Sequence, residues 1–157
     1  MCPLEPSVVR EMSPQALVFE PALKWLPHRP PMVLVDEVTL LGSGPEGLVR
    51  ATLVPDRPYY EKGHFKPVWC VEIMAQAVGA VYNLSRRYDN SLEPNFGYLI
   101  KIDSCEIDTD DPPHLGDLLE ARVSLIEELQ PVGCFAVELC VGRRLLAKAT
   151  MKFLVER

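Results

Sequence analysis

The chain has 157 residues, 48% of them hydrophobic and 24% charged, with a net charge of −6. This is enough for one domain around a single core, too little for two, and too apolar for a largely disordered chain. The acidic balance excludes nucleic acid as the main partner, because phosphate recognition needs a basic face, but it leaves room for an acidic carrier protein on a local basic patch.

No apolar run reaches the roughly 18 residues of a membrane span. The start Met1-Cys2-Pro3-Leu4-Glu5-Pro6 carries no basic segment followed by an apolar stretch, so no secretory signal is expected and the protein is expected in the cytoplasm. Five cysteines (Cys2, Cys70, Cys105, Cys134, Cys140) form no C-x-x-C pair. They are expected as reduced thiols that behave as small hydrophobes. The three histidines, His28, His64 and His114, lie far from any Cys cluster, so neither a metal nor an organic cofactor is indicated.

Residues 1–20 read as an N-terminal arm and residues 21–157 as one domain. Pro21 to Leu26 is expected to make one helical turn, stopped by Pro27. Met32 to Leu41 is rich in β-branched residues and reads as a strand, Gly42 to Gly47 as a turn, and Leu48 to Val54 as the second half of a hairpin. A Pro-rich loop runs from Pro55 to Pro67.

Val68 to Tyr88 contains no Pro, and Val71 to Tyr82 is apolar nearly all round. A helix apolar on most sides is buried on most sides. Its small residues Ala75, Ala77, Gly79 and Ala80 suit close approach of another backbone. Strands are then expected over Asn95 to Ile107, Leu118 to Leu129, Cys134 to Val141 and Leu145 to Val155. A hairpin, one buried helix and four consecutive strands predict an α+β fold, an antiparallel sheet wrapped around one long central helix.

Glu72 is out of character with its neighbours Val71, Ile73 and Met74. A carboxylate in apolar surroundings must find a partner or hold its proton. It is read either as a poised general acid or as a solvent-facing acid favoured by the helix dipole. Gln76, one turn on, can orient that carboxyl. His64 lies in the loop before the helix, where a catalytic base is often placed. His28, bracketed by Pro27 and Pro30, is read as structural, and His114 is given no role.

The segment Leu26-Pro27-His28-Arg29-Pro30-Pro31-Met32-Val33-Leu34-Val35-Asp36-Glu37-Val38, with Gly63-His64-Phe65 and Glu72-Ile73-Met74-Ala75-Gln76-Ala77, resembles bacterial β-hydroxyacyl-acyl-carrier-protein dehydratases of the FabZ/FabA type. The resemblance runs from about Leu23 to Phe153. It implies the hotdog fold, a homodimer or higher oligomer with sites at the interface, and an acyl-carrier-protein or CoA thioester as substrate.

The same resemblance implies that His64 removes the C2 proton of a 3-hydroxyacyl thioester and that Glu72 of the other subunit assists loss of the 3-hydroxyl. The acyl tail would lie beside Met74 and Val78. The stretch between His64 and Glu72 is shorter than in the family pattern, and Pro67 falls where a helix-start Gly would donate its N–H to the thioester carbonyl. Pro has no N–H to give, so the N–H of Val68 or Trp69 is the expected replacement.

This short form is similar to a divergent, ApeP-like branch found with aryl-polyene biosynthesis, some members of which pair with a second dehydratase-like subunit. The main functional expectation is therefore dehydration of a 3-hydroxyacyl carrier thioester. The alternatives are a non-catalytic hotdog subunit that binds acyl chains or stabilises a partner, and an acyl thioesterase. Arg86, Arg87, Arg143 and Arg144 are read as contacts for a carrier protein or as solvated surface charges.

Overall fold

The computed structural model describes residues 17–89 and 97–155. The expected arm lies outside the described residues as far as position 16, and so do Asn95 and Phe96 of the expected strand.

In chain order the elements are β1 (Glu20–Pro21), a 3-10 turn (Ala22–Trp25), β2 (Glu37–Leu40), β3 (Glu46–Thr52), β4 (Tyr60–Glu61) and β5 (His64–Phe65). Then come α1 (Trp69–Ser85), a second 3-10 turn (Arg86–Asp89), β6 (Gly97–Ile107), β7 (Leu118–Leu129), β8 (Val132–Val141) and β9 (Arg144–Val155). Within the described residues one seven-stranded sheet runs β1-β2-β3-β7-β8-β9-β6. All its pairings are antiparallel, and β4 and β5 form a separate small hairpin.

The sheet curves around α1, which touches β2, β3, β6, β7, β8 and β9. This is the hotdog architecture that the resemblance implies. The alternation along each strand explains the wrap. Val49 and Ala51 of β3, Leu119, Ala121 and Val123 of β7, Phe135, Val137 and Leu139 of β8, and Met151 and Phe153 of β9 turn one face inward. They join Ile73, Met74, Ala77, Val78 and Val81 of the helix in one buried cluster. Full burial of each large apolar side chain contributes about 1.5–3 kcal/mol.

At Gly47 β3 runs close to both β2 and α1. A Cβ there would lie 2.4 Å from the Thr39 carbonyl oxygen and 2.9 Å from Val81 Cγ2, so only the missing side chain lets β3 pass.

The first expected strand is shorter than its composition suggests. Ladder pairing is confined to Glu37–Leu40. Residues 32–34 run instead across the helix, because backbone groups of Met32 and Leu34 find side-chain partners. The Leu34 N–H donates to Gln76 Oε1 at 2.8 Å, and the Met32 carbonyl accepts from Gln76 Nε2 at 2.7 Å. Arg57 holds the other end, donating to the Leu34 carbonyl at 2.9 Å and to Asp36 Oδ1 at 2.6 Å. Asp36 Oδ2 in turn accepts from the Thr52 N–H at 2.7 Å.

Candidate active site

The segment that carries His28 is delivered by local chemistry. Leu26 is buried and anchors the turn. Asn83 Nδ2 of α1 donates to the Trp25 carbonyl at 2.8 Å, tying the turn to the helix. Arg29 Nη1 donates to the carbonyls of Leu26 and His28 at 3.0 and 2.8 Å and so closes the turn on itself. The result presents His28 to the first turn of α1.

There His28 Nε2 lies 3.4 Å from Glu72 Oε1. The same oxygen accepts a hydrogen bond from Gln76 Nε2 at 2.9 Å. Glu72 and Gln76 sit one turn apart on one helix face, as their spacing predicts. Gln76, only 1% exposed, has its amide fully used: its oxygen accepts from Leu34, and its two N–H groups go to Met32 and Glu72. A buried side-chain amide must be satisfied in this way to be stable.

The Glu72 side chain is 36% exposed in the single chain. It is held by polar partners rather than sealed in apolar surroundings. Among the described residues Oε2 has no hydrogen-bond partner.

Glu72, Gln76 and His28 open on a cavity of about 160 Å³. Its apolar wall comes from Leu26, Ala75, Gly79, Leu99 and Phe153. Ala75 and Gly79 supply it because they lie on the helix face that carries Glu72 and Gln76. Met74 and Val78, expected beside the acyl chain, point the other way and are 0% and 2% exposed within the core.

His64 lies on β5, exposed and opposite Glu61 in the small hairpin. It does not line the cavity of its own chain. At the helix start, the Trp69 N–H already donates to the Lys66 carbonyl at 3.1 Å, whereas the Val68 N–H makes no hydrogen bond among the described residues.

His28, read from the sequence as structural, lies against the Glu72 carboxyl and lines the cavity. Its proline-bracketed turn gives no hint of a contact with α1, which only the folded chain creates. Cys70, next to the helix start, is buried, and burial pushes its thiol up to about 12, which removes it as a nucleophile at neutral pH. Cys140 is disulfide-bonded, so the thiols are not all free as expected from composition. Among the described residues no group of three or more His, Cys, Asp or Glu side chains is placed to hold a metal ion. None of the described helices is long and apolar enough to cross a membrane.

A helix-borne carboxyl, oriented by an amide and facing a small apolar cavity, is the arrangement expected of an acid working on a hydrophobic substrate. The family model of ApeP dehydratases matches residues 20–156. The chain belongs to the ApeP-like dehydratase family.

The ApeP-like chain is also similar to the 3-hydroxyacyl-[acyl-carrier-protein] dehydratase FabZ of Thioalkalivibrio sulfidiphilus, 31% identical over 82% of this chain and 90% of that protein. The FabZ of Macrococcus caseolyticus is 30% identical over 88% of this chain and 95% of that protein. Among solved structures, the ApeP-like fold matches a chain of the dehydratase heterocomplex ApeI:P from Xenorhabdus doucetiae with a TM-score of 0.78. That match is 21% identical and covers 89% of this chain and 93% of that one.

Proposed function

We propose that this chain takes part in removing water from a 3-hydroxyacyl thioester carried by an acyl carrier protein, with Glu72 as the general acid. In that reaction a base takes the C2 proton, Glu72 protonates the leaving 3-hydroxyl, the C3–O bond breaks, and water and the 2,3-unsaturated thioester leave. The observation that carries the reading is the Glu72 carboxyl, with Oε1 held by Gln76 and Oε2 free, at the mouth of an apolar cavity. An acyl chain would run along Ala75 and Gly79 toward Phe153, with Met74 and Val78 backing that wall from the core side.

The base in this reading is His64 of a second chain, since His64 does not reach the cavity of its own. The Val68 N–H is the donor left free to polarise the thioester carbonyl. An acyl carrier protein as donor makes the cytoplasm the site of action. The assay is dehydration of a 3-hydroxyacyl carrier thioester. Glu72→Gln and His64→Ala are each expected to lower the rate by at least about 100-fold, the scale of general acid–base catalysis. Full activity in Glu72→Gln rejects the role of the carboxyl.

A second reading is favoured by the exposed position of His64 and by Pro67, which leaves the helix start one donor short. In it, the base comes from a sequence-distinct dehydratase-like subunit, and this chain supplies the acid and the acyl cavity. No turnover by the pure chain, with turnover restored by that subunit and lost again with Glu72→Gln, selects this reading. Loss of activity with His64→Ala in the pure chain selects the first.

A further inference from the structure

Two nitrogens converge on one oxygen of Glu72. Gln76 Nε2 donates to Oε1 at 2.9 Å, and His28 Nε2 faces the same Oε1 at 3.4 Å. The other imidazole nitrogen, His28 Nδ1, is buried and has no hydrogen-bond partner among the described residues. These facts together limit what the imidazole can do. A proton on Nδ1 would be a buried donor with no acceptor among the described residues, whereas a proton on Nε2 has a carboxylate oxygen 3.4 Å away. A base acting on substrate needs an accessible lone pair, and the lone pair left on Nδ1 is shut away from the cavity.

We propose that His28 is a positioning residue for Glu72. Its Nε2–H and the Gln76 amide both donate to Oε1, which forces the carboxyl proton onto Oε2, the oxygen left free for the substrate hydroxyl. The contact of 3.4 Å is long for a hydrogen bond. Such bonds commonly tighten when substrate fills a site. One donor restrains Oε1 along a single direction, while a second donor from a different segment fixes the rotation of the carboxyl plane. For its kinetic consequence this inference rests on the dehydratase reading; for its structural content it does not.

The experiment therefore has two arms. In the first, the ¹⁵N-labelled full chain is examined by long-range ¹H–¹⁵N correlation of its histidine rings. The expected result is the Nε2–H tautomer for His28, with ring shifts that move in Glu72→Gln and stay in place in His64→Ala. An Nδ1–H tautomer, or shifts indifferent to Glu72→Gln, overturns the proposal.

In the second arm, turnover of a 3-hydroxyacyl pantetheine thioester is measured. His28→Ala is expected to lower kcat by about tenfold or more with KM little changed, and His28→Gln, which keeps an N–H donor at similar reach, to recover most of it. Unchanged kcat in His28→Ala overturns the proposal, and so does a His28→Gln as impaired as His28→Ala, since that marks the imidazole as a proton carrier. Absence of turnover in the parent protein, both alone and with a dehydratase-like partner subunit, speaks against the dehydratase reading and leaves the first arm to decide the role of His28.

Discussion

At the scale of the residue, the site is built from side chains whose chemistry is set by what they touch. Cys70 shows how burial alone decides a role. Its thiol sits near the site yet titrates only at about 12, against 9.0 for a free thiol, because the charged form is desolvated. Below pH 9 folded and unfolded chains both keep this proton and it contributes no pH dependence. Above pH 9 the unfolded chain releases a proton that the folded chain retains, so stability falls as pH rises, by about 1.4 kcal/mol per pH unit from this group. Tyr59 and Tyr82, raised by the same burial, act in the same direction at higher pH. Urea unfolding at pH 8 and pH 10 is expected to show this loss, and Cys70→Ala to reduce it. An unchanged slope in that variant removes Cys70 as the cause.

Glu72 is the contrasting residue. It was legible in the sequence as an acid among apolar neighbours, and Gln76 was legible as its helical partner. Its other neighbour was not, because His28 reaches it only through the fold.

At the scale of the element, α1 is both the core of the sheet and the frame of the site. Its sheet-facing side carries Ile73, Met74, Ala77, Val78 and Val81, while Glu72, Ala75, Gln76, Gly79 and Asn83 share the other face. Gln76 ties the two jobs together, since it holds Glu72 and also the backbone of residues 32–34. Gln76→Leu would leave the buried Leu34 N–H without an acceptor, a cost of about 1–3 kcal/mol. It is therefore expected to lower stability in chemical denaturation as well as activity. Loss of activity at full stability would show that only the orienting role matters.

The β3 strand makes a separate prediction. Gly47→Ala pushes a Cβ into the Thr39 carbonyl and Val81. Overpacking of this kind costs about 1–3 kcal/mol, and a lowered Tm is expected. Gly42→Ala, with nothing within 4 Å of its added carbon, is the control that should leave Tm unchanged. Equal effects in the two variants would refute the close approach.

At the scale of the whole molecule, the single chain is unfinished at one edge. Among the described residues β6 ends the sheet, pairs only with β9, and is exposed along nearly its full length. Tyr98, Leu99, Ile100 and Ile102 are 55%, 38%, 51% and 38% exposed there. An apolar, unpaired edge strand is a template for another strand. Gly97 and Leu99 of this strand also line the cavity beside Glu72. At about 160 Å³ that cavity is smaller than the roughly 300–1,000 Å³ of typical ligand sites, so a second hotdog chain laid on β6 would close and enlarge it.

Sedimentation is expected to show an assembly of two chains or more, either of this chain or with a dehydratase-like partner. The double change Ile100→Glu and Ile102→Glu is expected to yield single chains with unchanged circular dichroism. A parent protein that stays single, both alone and with such a partner, rejects the edge as an interface.

The sequence alone determined the order of the helix and the long strands, because strand alternation and the proline-free apolar stretch are local patterns that survive without a partner; the short β1 and the β4–β5 hairpin, which lies within the expected loop Pro55 to Pro67, were not legible. Leu118–Leu129 coincides with its observed strand, and the helix, expected over Val68 to Tyr88, closes as α1 at Ser85 and passes into a 3-10 turn. The sequence also marked Glu72 and Gln76, since a four-residue spacing on a helix fixes a shared face. Only the tertiary structure decided which histidine meets the carboxyl, which helix face lines the cavity, and where β2 begins. Each of these depends on contacts between segments far apart in the chain, where side chains such as Gln76 and Arg57 capture backbone groups that local propensity would have assigned to a ladder.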